Sequence, residues 1–194
     1  MTQPVLSTID IEEFYYVDTL VHSDLRHEYV DGVMLAMTGG SPLHSQLAGE
    51  IIVQLGVQLR DRPCKVHSAD LRVRAKAFHR VFYPDVVIEC GTPNFDRDDR
   101  HGQSLTNPLV IVEVLSPSTS RYDFETKLPA YKSIDSLRSI FYVHQSRRLV
   151  ECWVSLPSRS WEWVSHSSGS FEVIGLSNVV FDVDGLYSKT DLTR

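Results

Sequence analysis

Two short runs, YPDVVIE and LVIVEVLSPST, set the terms for how this chain folds. Each is apolar and β-branched over the length of a strand, which suits burial inside a sheet. Each also carries an acid, Asp85 in the first and Glu113 in the second. A carboxylate inside such a run is costly unless another group compensates its charge. Lys127, downstream in FETKLPAY, supplies an opposite charge. Two acids and a lysine of this kind point to a site that holds a divalent metal and handles a phosphate.

The remaining pattern is that of an α+β protein, a mixed sheet with helices packed against it. Ser7 or Thr8 can cap a helix through Ile9, Ile11, Phe14 and Tyr15, with Glu12 and Glu13 early, where the helix dipole favours acids. Asp31-Gly32 between β-rich arms predicts a tight hairpin. Ser41-Pro42 opens a long helix whose apolar stripe is Leu43, Leu47, Ile51, Leu55 and Leu59, stopping before Pro63. Residues 64–90 read as strands. In LRVRAKA the period-two alternation predicts Leu71, Val73 and Ala75 facing the core, with Arg72, Arg74 and Lys76 on the other face. Residues 91–108 read as a loop. A helix over 123–133 is expected to bend or split at Pro129. From Arg138 onward, short apolar runs separated by turns predict an antiparallel meander. Its three tryptophans read as core and cross-strand packing. A single domain over 1–194, with its core at about 8–187, accounts for the whole pattern.

Composition narrows the function. The chain has 194 residues, is 42% hydrophobic and carries net charge −6 from 19 basic and 25 acidic side chains. A protein that coats DNA non-specifically would be basic, so any nucleic acid must meet a local basic surface. No run approaches the ~18 apolar residues of a membrane span. The acid-rich N-terminus is not a secretory signal. Cys64, Cys90 and Cys152 are odd in number and lack a Cys-x-x-Cys pair, so the expectation is a reducing cytoplasm, with no disulfide and no cysteine zinc site.

Among candidate residues, Asp85 and Glu113 converge if their strands are neighbours. Two carboxylates with waters and a backbone carbonyl suit magnesium, a hard octahedral ion. The same acids could instead cap a strand and form a structural ion pair. Asp123, Lys127 and Tyr131, spaced i, i+4, i+8, share a helix face. There Lys127 could stabilise a phosphate or activate water, or simply pair with Asp123. Glu28 and His44 flank the hairpin; Glu28 could add an oxygen ligand, and His44 could bind phosphate or shuttle a proton. Arg72, Arg74 and Lys76 step by about 6.8 Å, close to the phosphate spacing of one strand, although a solvated sheet face looks the same. Nucleotide-loop, serine-elbow and zinc-protease motifs are absent.

RHEYVDGVMLAMTGGSPLHSQ, YPDVVI, LVIVEVLSPSTSRYDFETKLPAYKSI and IFYVHQSRRLVECW together resemble the Uma-two family. That family is placed in the restriction-endonuclease-like PD-(D/E)xK nuclease superfamily. The resemblance runs from about residue 10 to 187. It implies a restriction-endonuclease-like mixed β-sheet flanked by helices, with Pro84-Asp85 as the PD element and Glu113 as the second acid. The superfamily lysine position, two residues after that acid, is Leu115 here. The resemblance moves that role to Lys127 on the next helix, and matches Glu28 and His44 to further family residues. The implied activity is magnesium-dependent (or manganese-dependent) hydrolysis of phosphodiesters. Asp85, Glu113 and the Val114 carbonyl would hold the metal, and Arg72, Arg74 and Lys76 would grip the backbone. The implied partner is nucleic acid, with DNA favoured, and the implied assembly is a homodimer. Leu115 and the acidic charge keep open a second reading, a nuclease-fold protein that has lost turnover and serves as a binding or regulatory module.

Overall fold

The computed structural model of the chain describes residues 8–21, 25–37, 39–117 and 119–193. Ser7, one of the two expected caps, lies outside them. Thr8 does not start the first helix. Asp10 does, its side chain accepting the Glu13 N–H at 2.8 Å. Helix α1 (Ile11–Tyr16) then continues as a π-helical turn, Val17–Val21. Strands β1 (His27–Val30) and β2 (Val33–Ala36) close through Asp31 and Gly32. Both have positive φ, 52° and 91°, as a two-residue hairpin turn of this hand requires.

Helix α2 (Pro42–Leu59) is capped by Ser41, whose Oγ accepts the His44 N–H at 3.1 Å. Its stripe Leu47, Ile51, Leu55 and Leu59 is buried as the spacing predicts. Five strands follow: β3 (Cys64–Ser68), β4 (Arg72–Ala75), β5 (Arg80–Phe82), β6 (Val86–Cys90) and the short β7 (Ser104–Leu105). Strand β8 (Val110–Leu115) leads into α3 (Ser120–Tyr122), a π-helical turn (Asp123–Lys127) and α4 (Leu128–Lys132). Pro129 sits in the first turn of α4, where its missing N–H costs nothing, so the helical stretch is partitioned there rather than broken. The C-terminal part holds β9 (Ser139–His144), β10 (Val150–Ser155), β11 (Trp161–His166), β12 (Ser170–Glu172), β13 (Val180–Asp182) and α5 (Val183–Tyr187).

These strands form two large sheets where the sequence suggested one. The first is six-stranded, β11-β10-β9-β8-β6-β3, with a parallel β8–β9 pair among antiparallel ones. The second is five-stranded, β2-β1-β5-β4-β7, with a parallel β4–β7 pair. One face of the six-stranded sheet packs against α2 and α5. Its other face packs against α4 and residues Val73, Ala75 and Phe82 of the second sheet. Both faces are therefore covered, which is why β6 and β8 read as continuous apolar runs rather than alternating ones.

Three expectations are corrected. The meander covers only β9, β10 and β11; β12 and β13 form a separate two-stranded ribbon, and DVDGLY turns into α5. Within the meander Trp153 pairs across strands with Trp163, but Trp163 is exposed on the edge strand rather than buried. Second, Arg72 and Arg74 do not line an outer face. Strand β4 is enclosed on both sides, and the two side chains are 1% and 4% exposed. Arg72 donates to Asp18 Oδ2 (2.9 Å), Thr19 Oγ1 (3.0 Å), Asp99 Oδ2 (3.1 Å) and Gln103 Oε1 (3.1 Å), while Tyr15 lies over its guanidinium. Arg74 Nε lies 3.2 Å from Asp96 Oδ2. Lys76 falls beyond the strand in a 3-10 turn, with Nζ 3.0 Å from Asp96 Oδ1. Third, Cys64 and Cys90 face each other in the β3–β6 register and are joined as a disulfide, leaving Cys152 free and buried. Among the described residues, no helix is long and apolar enough to cross a membrane.

Candidate active site

The site grows out of strand register. β6 and β8 are antiparallel, with Val86 opposite Val112 and Val87 opposite Ile111. One further step sets Asp85, just ahead of β6, opposite Glu113. Side chains two apart share a face, so both acids project on the side of Val87 and Ile111, toward α4. The Val114 N–H donates to Asp85 Oδ2 at 2.7 Å, tying the two strand ends together. His44, in the first turn of α2, brings Nε2 to 3.1 Å from the same oxygen.

Lys127 approaches from the helical side. Its Nζ lies 2.9 Å from Glu28 Oε1, 3.1 Å from Glu113 Oε1 and 3.5 Å from Asp123 Oδ1. Glu28 comes from β1, so this contact joins the second sheet to the first. Tyr131, one turn further along, donates its hydroxyl to Glu113 Oε1 at 2.6 Å, and its ring packs edge-on against Phe82. The π-helical turn matters here: the Leu128 N–H reaches back five residues to the Asp123 carbonyl. Such turns recur at functional sites, and this one places Asp123 and Lys127 inward together.

Glu28, Glu113, Asp123 and Lys127 are all at least nine-tenths buried. Burial, reinforced by Asp85 and Asp123, pushes the Glu113 carboxyl well above the usual carboxylate range, against the pull of Lys127 and Tyr131. Burial also raises Asp123. For Lys127 burial acts downward, but Glu113, Glu28 and Asp123 outweigh it and hold the ammonium well above its ordinary value. His44 is raised by its hydrogen bond to Asp85, against the opposing effect of burial. One lysine thus serves three buried carboxyl groups, with Asp85 beside them. The excess of acid over base suits a site that receives a cation.

The sequence candidates divide cleanly by position. Asp85, Glu113, Lys127, Glu28 and His44 meet in one place, and Val114 joins them through its N–H. Arg72, Arg74 and Lys76 belong to a separate cluster with Asp18, Asp96 and Asp99. A guanidinium enclosed by four acceptors is not placed to grip a phosphate. Asp123 and Tyr131 were not candidates by themselves; their shared helix face with Lys127 was the available signal.

Magnesium typically takes one or two protein carboxylates and fills its octahedron with water and substrate oxygens. The donor set fits that ion: Asp85 Oδ1 and Glu113 Oε2 receive no hydrogen bond from the described residues, while Oδ2 and Oε1 are engaged. Among the described residues no three or more His, Cys, Asp or Glu side chains are grouped to hold a metal; side-chain ligation would rest on Asp85 and Glu113.

This arrangement, acids on adjacent strands of a mixed sheet with helices on both faces, is that of a restriction-endonuclease-like fold. The chain belongs to the Uma2 family, whose model, described as "Putative restriction endonuclease", matches residues 11–180. It is 28% identical over 136 residues to the uncharacterized protein sll1609 of Synechocystis sp., an alignment covering 70% of this chain and 76% of that one. It is 35% identical over 106 residues to slr1290 of the same organism, also uncharacterized, covering 55% and 54% of the two chains. A crystal structure from Anabaena variabilis, titled a putative nuclease belonging to DUF820, superposes with a TM-score of 0.71 at 17% identity. That match covers 93% of this chain and 98% of the other, and it shows the shared fold.

Proposed function

We propose that the chain is a divalent-metal-dependent nuclease that hydrolyses phosphodiester bonds, with DNA as substrate and magnesium or manganese as cofactor. The observation that carries this reading is the pairing of Asp85 with Glu113 across β6 and β8, each with one oxygen fixed by protein donors. Asp85 and Glu113 would hold the cation, with the Val114 carbonyl as a further oxygen ligand. A bound divalent ion supplies positive charge to a phosphate oxygen and acidifies a water.

The other residues act around that pair. Lys127 is held charged by three carboxyl groups, so it has no lone pair to take a proton from water. Its part is electrostatic: it fixes Glu113 and places an ammonium beside the charge that develops on a phosphate. His44 steadies Asp85 through Oδ2. That same hydrogen bond raises the pKa of His44. Glu28 keeps Lys127 in place from the second sheet.

The test is cleavage of labelled single- and double-stranded DNA and RNA with magnesium or manganese. Asp85→Asn and Glu113→Gln should each abolish an activity that the parent chain shows. Equal cutting by either variant sinks the assignment. One observation favours the second reading, a binding module without turnover: Lys127 and Glu113 are recessed and already engaged with one another. On that reading the parent chain binds nucleic acid in the same series and cuts none of it.

A further inference from the structure

Resting on the metal reading above, we propose that Tyr131 is a positioning residue that sets which divalent ion the site prefers. The two acids are treated alike by the protein. At Glu113, the Tyr131 hydroxyl (2.6 Å) and Lys127 Nζ (3.1 Å) both fall on Oε1. At Asp85, the Val114 N–H (2.7 Å) and His44 Nε2 (3.1 Å) both fall on Oδ2. Each carboxylate therefore keeps one oxygen for a cation and has the other occupied by protein donors.

That occupation has a chemical consequence. Calcium takes six to eight oxygens and commonly uses both oxygens of a carboxylate, whereas magnesium is smaller and takes carboxylate oxygens one at a time in a strict octahedron. A carboxylate with one oxygen committed elsewhere offers single-oxygen binding only. Of the four donors, the Tyr131 hydroxyl is the one that can be deleted with least disturbance. Lys127 serves three acids, His44 sits in the capped first turn of α2, and Val114 acts through its backbone. Tyr131 is fully buried, its ring is fixed edge-on to Phe82 at 5.3 Å, and its hydroxyl makes the shortest of the four contacts. Removing the hydroxyl frees much of Oε1 without changing the charge of the site.

The experiment is calorimetric titration of the full chain with magnesium chloride and, separately, calcium chloride. Parent, Tyr131→Phe and Tyr142→Phe are compared, each checked for its fold by circular dichroism. Tyr142 is the control: it is another buried phenol of the same core, but it donates to the Asp123 carbonyl and not to Glu113. The expected result is a shift of roughly tenfold in the magnesium-to-calcium affinity ratio, toward calcium, in Tyr131→Phe alone, within the usual range for outer groups that hold a metal ligand. An unchanged ratio in a variant that still binds magnesium overturns this inference and leaves the metal reading standing. An equal shift in Tyr142→Phe overturns it too, since loosening of the core would then be the cause. Absence of saturable binding of either ion to the parent chain overturns the metal reading and this inference together.

Discussion

Arg72 and Asp96 show how much of the ionic chemistry of this protein is structural. Arg72 is enclosed with Asp18 and Asp99, and removing one member of such a group strands the others without compensation. Arg72→Met is expected to destabilise the fold by about 3–5 kcal/mol, measured by urea denaturation. Arg72→Lys should recover only part of that, because an ammonium does not reproduce the planar fork. Asp96 gives a pH signature. Burial pushes its carboxyl up, but hydrogen bonds from Lys76 and Tyr15, with the charge of Arg74, outweigh it and hold it below its ordinary value of 3.8. A depressed folded-state value means the stabilisation is present above 3.8 and lost as pH falls through the lower folded value. Thermal melting between pH 5 and pH 2 should therefore show a steeper acid loss in the parent than in Asp96→Asn. Asp85 and Glu113 were legible as residues because acids in apolar runs stand out. The partners of Arg72 and Arg74 were not, since they lie in the π-helical turn at 17–21 and the loop after β6.

At the scale of elements, local rules governed well where one element decides its own form. The leucine stripe of α2 was readable from its spacing, and Leu55→Ala should cost about 2–5 kcal/mol by leaving a cavity under the six-stranded sheet. The Asp31-Gly32 hairpin was equally legible. Gly32 has φ of 91°, and a β-carbon there would sit 2.9 Å from Thr8 Cβ. Gly32→Ala is expected to destabilise by about 1–3 kcal/mol, seen as a lower melting temperature. Because β1 carries Glu28, the same variant should also loosen the contact with Lys127. The π-helical turn at Asp123–Lys127 was not legible: Pro129 marked an irregularity but not its kind, which depends on how the segment packs against β8 and β9. The Tyr142 hydroxyl, bonded to the Asp123 carbonyl, belongs to that packing.

For the whole molecule, the two sheets and the crossing between them matter most. The Cys64–Cys90 disulfide ties edge strand β3 to β6, the strand that follows Asp85. Cys64→Ser is expected to lower stability by about 2–4 kcal/mol under oxidising conditions and to change nothing in the presence of a strong dithiol reductant, as read by paired thermal melts. By itself the sequence determined most of the strands and helices, though not β7 or the helical turn of DVDGLY, together with the hairpin, the α2 stripe and the identity of the acids, because these follow from side-chain periodicity and backbone preference over a few residues. Tertiary structure alone decided that the strands divide into two sheets, that Cys64 meets Cys90, that Arg72 and Arg74 turn inward, and that Glu28, Glu113, Asp123 and Tyr131 close around Lys127. Those outcomes depend on register and on which charge lies opposite which, and pairings between distant segments leave no periodic trace in the chain.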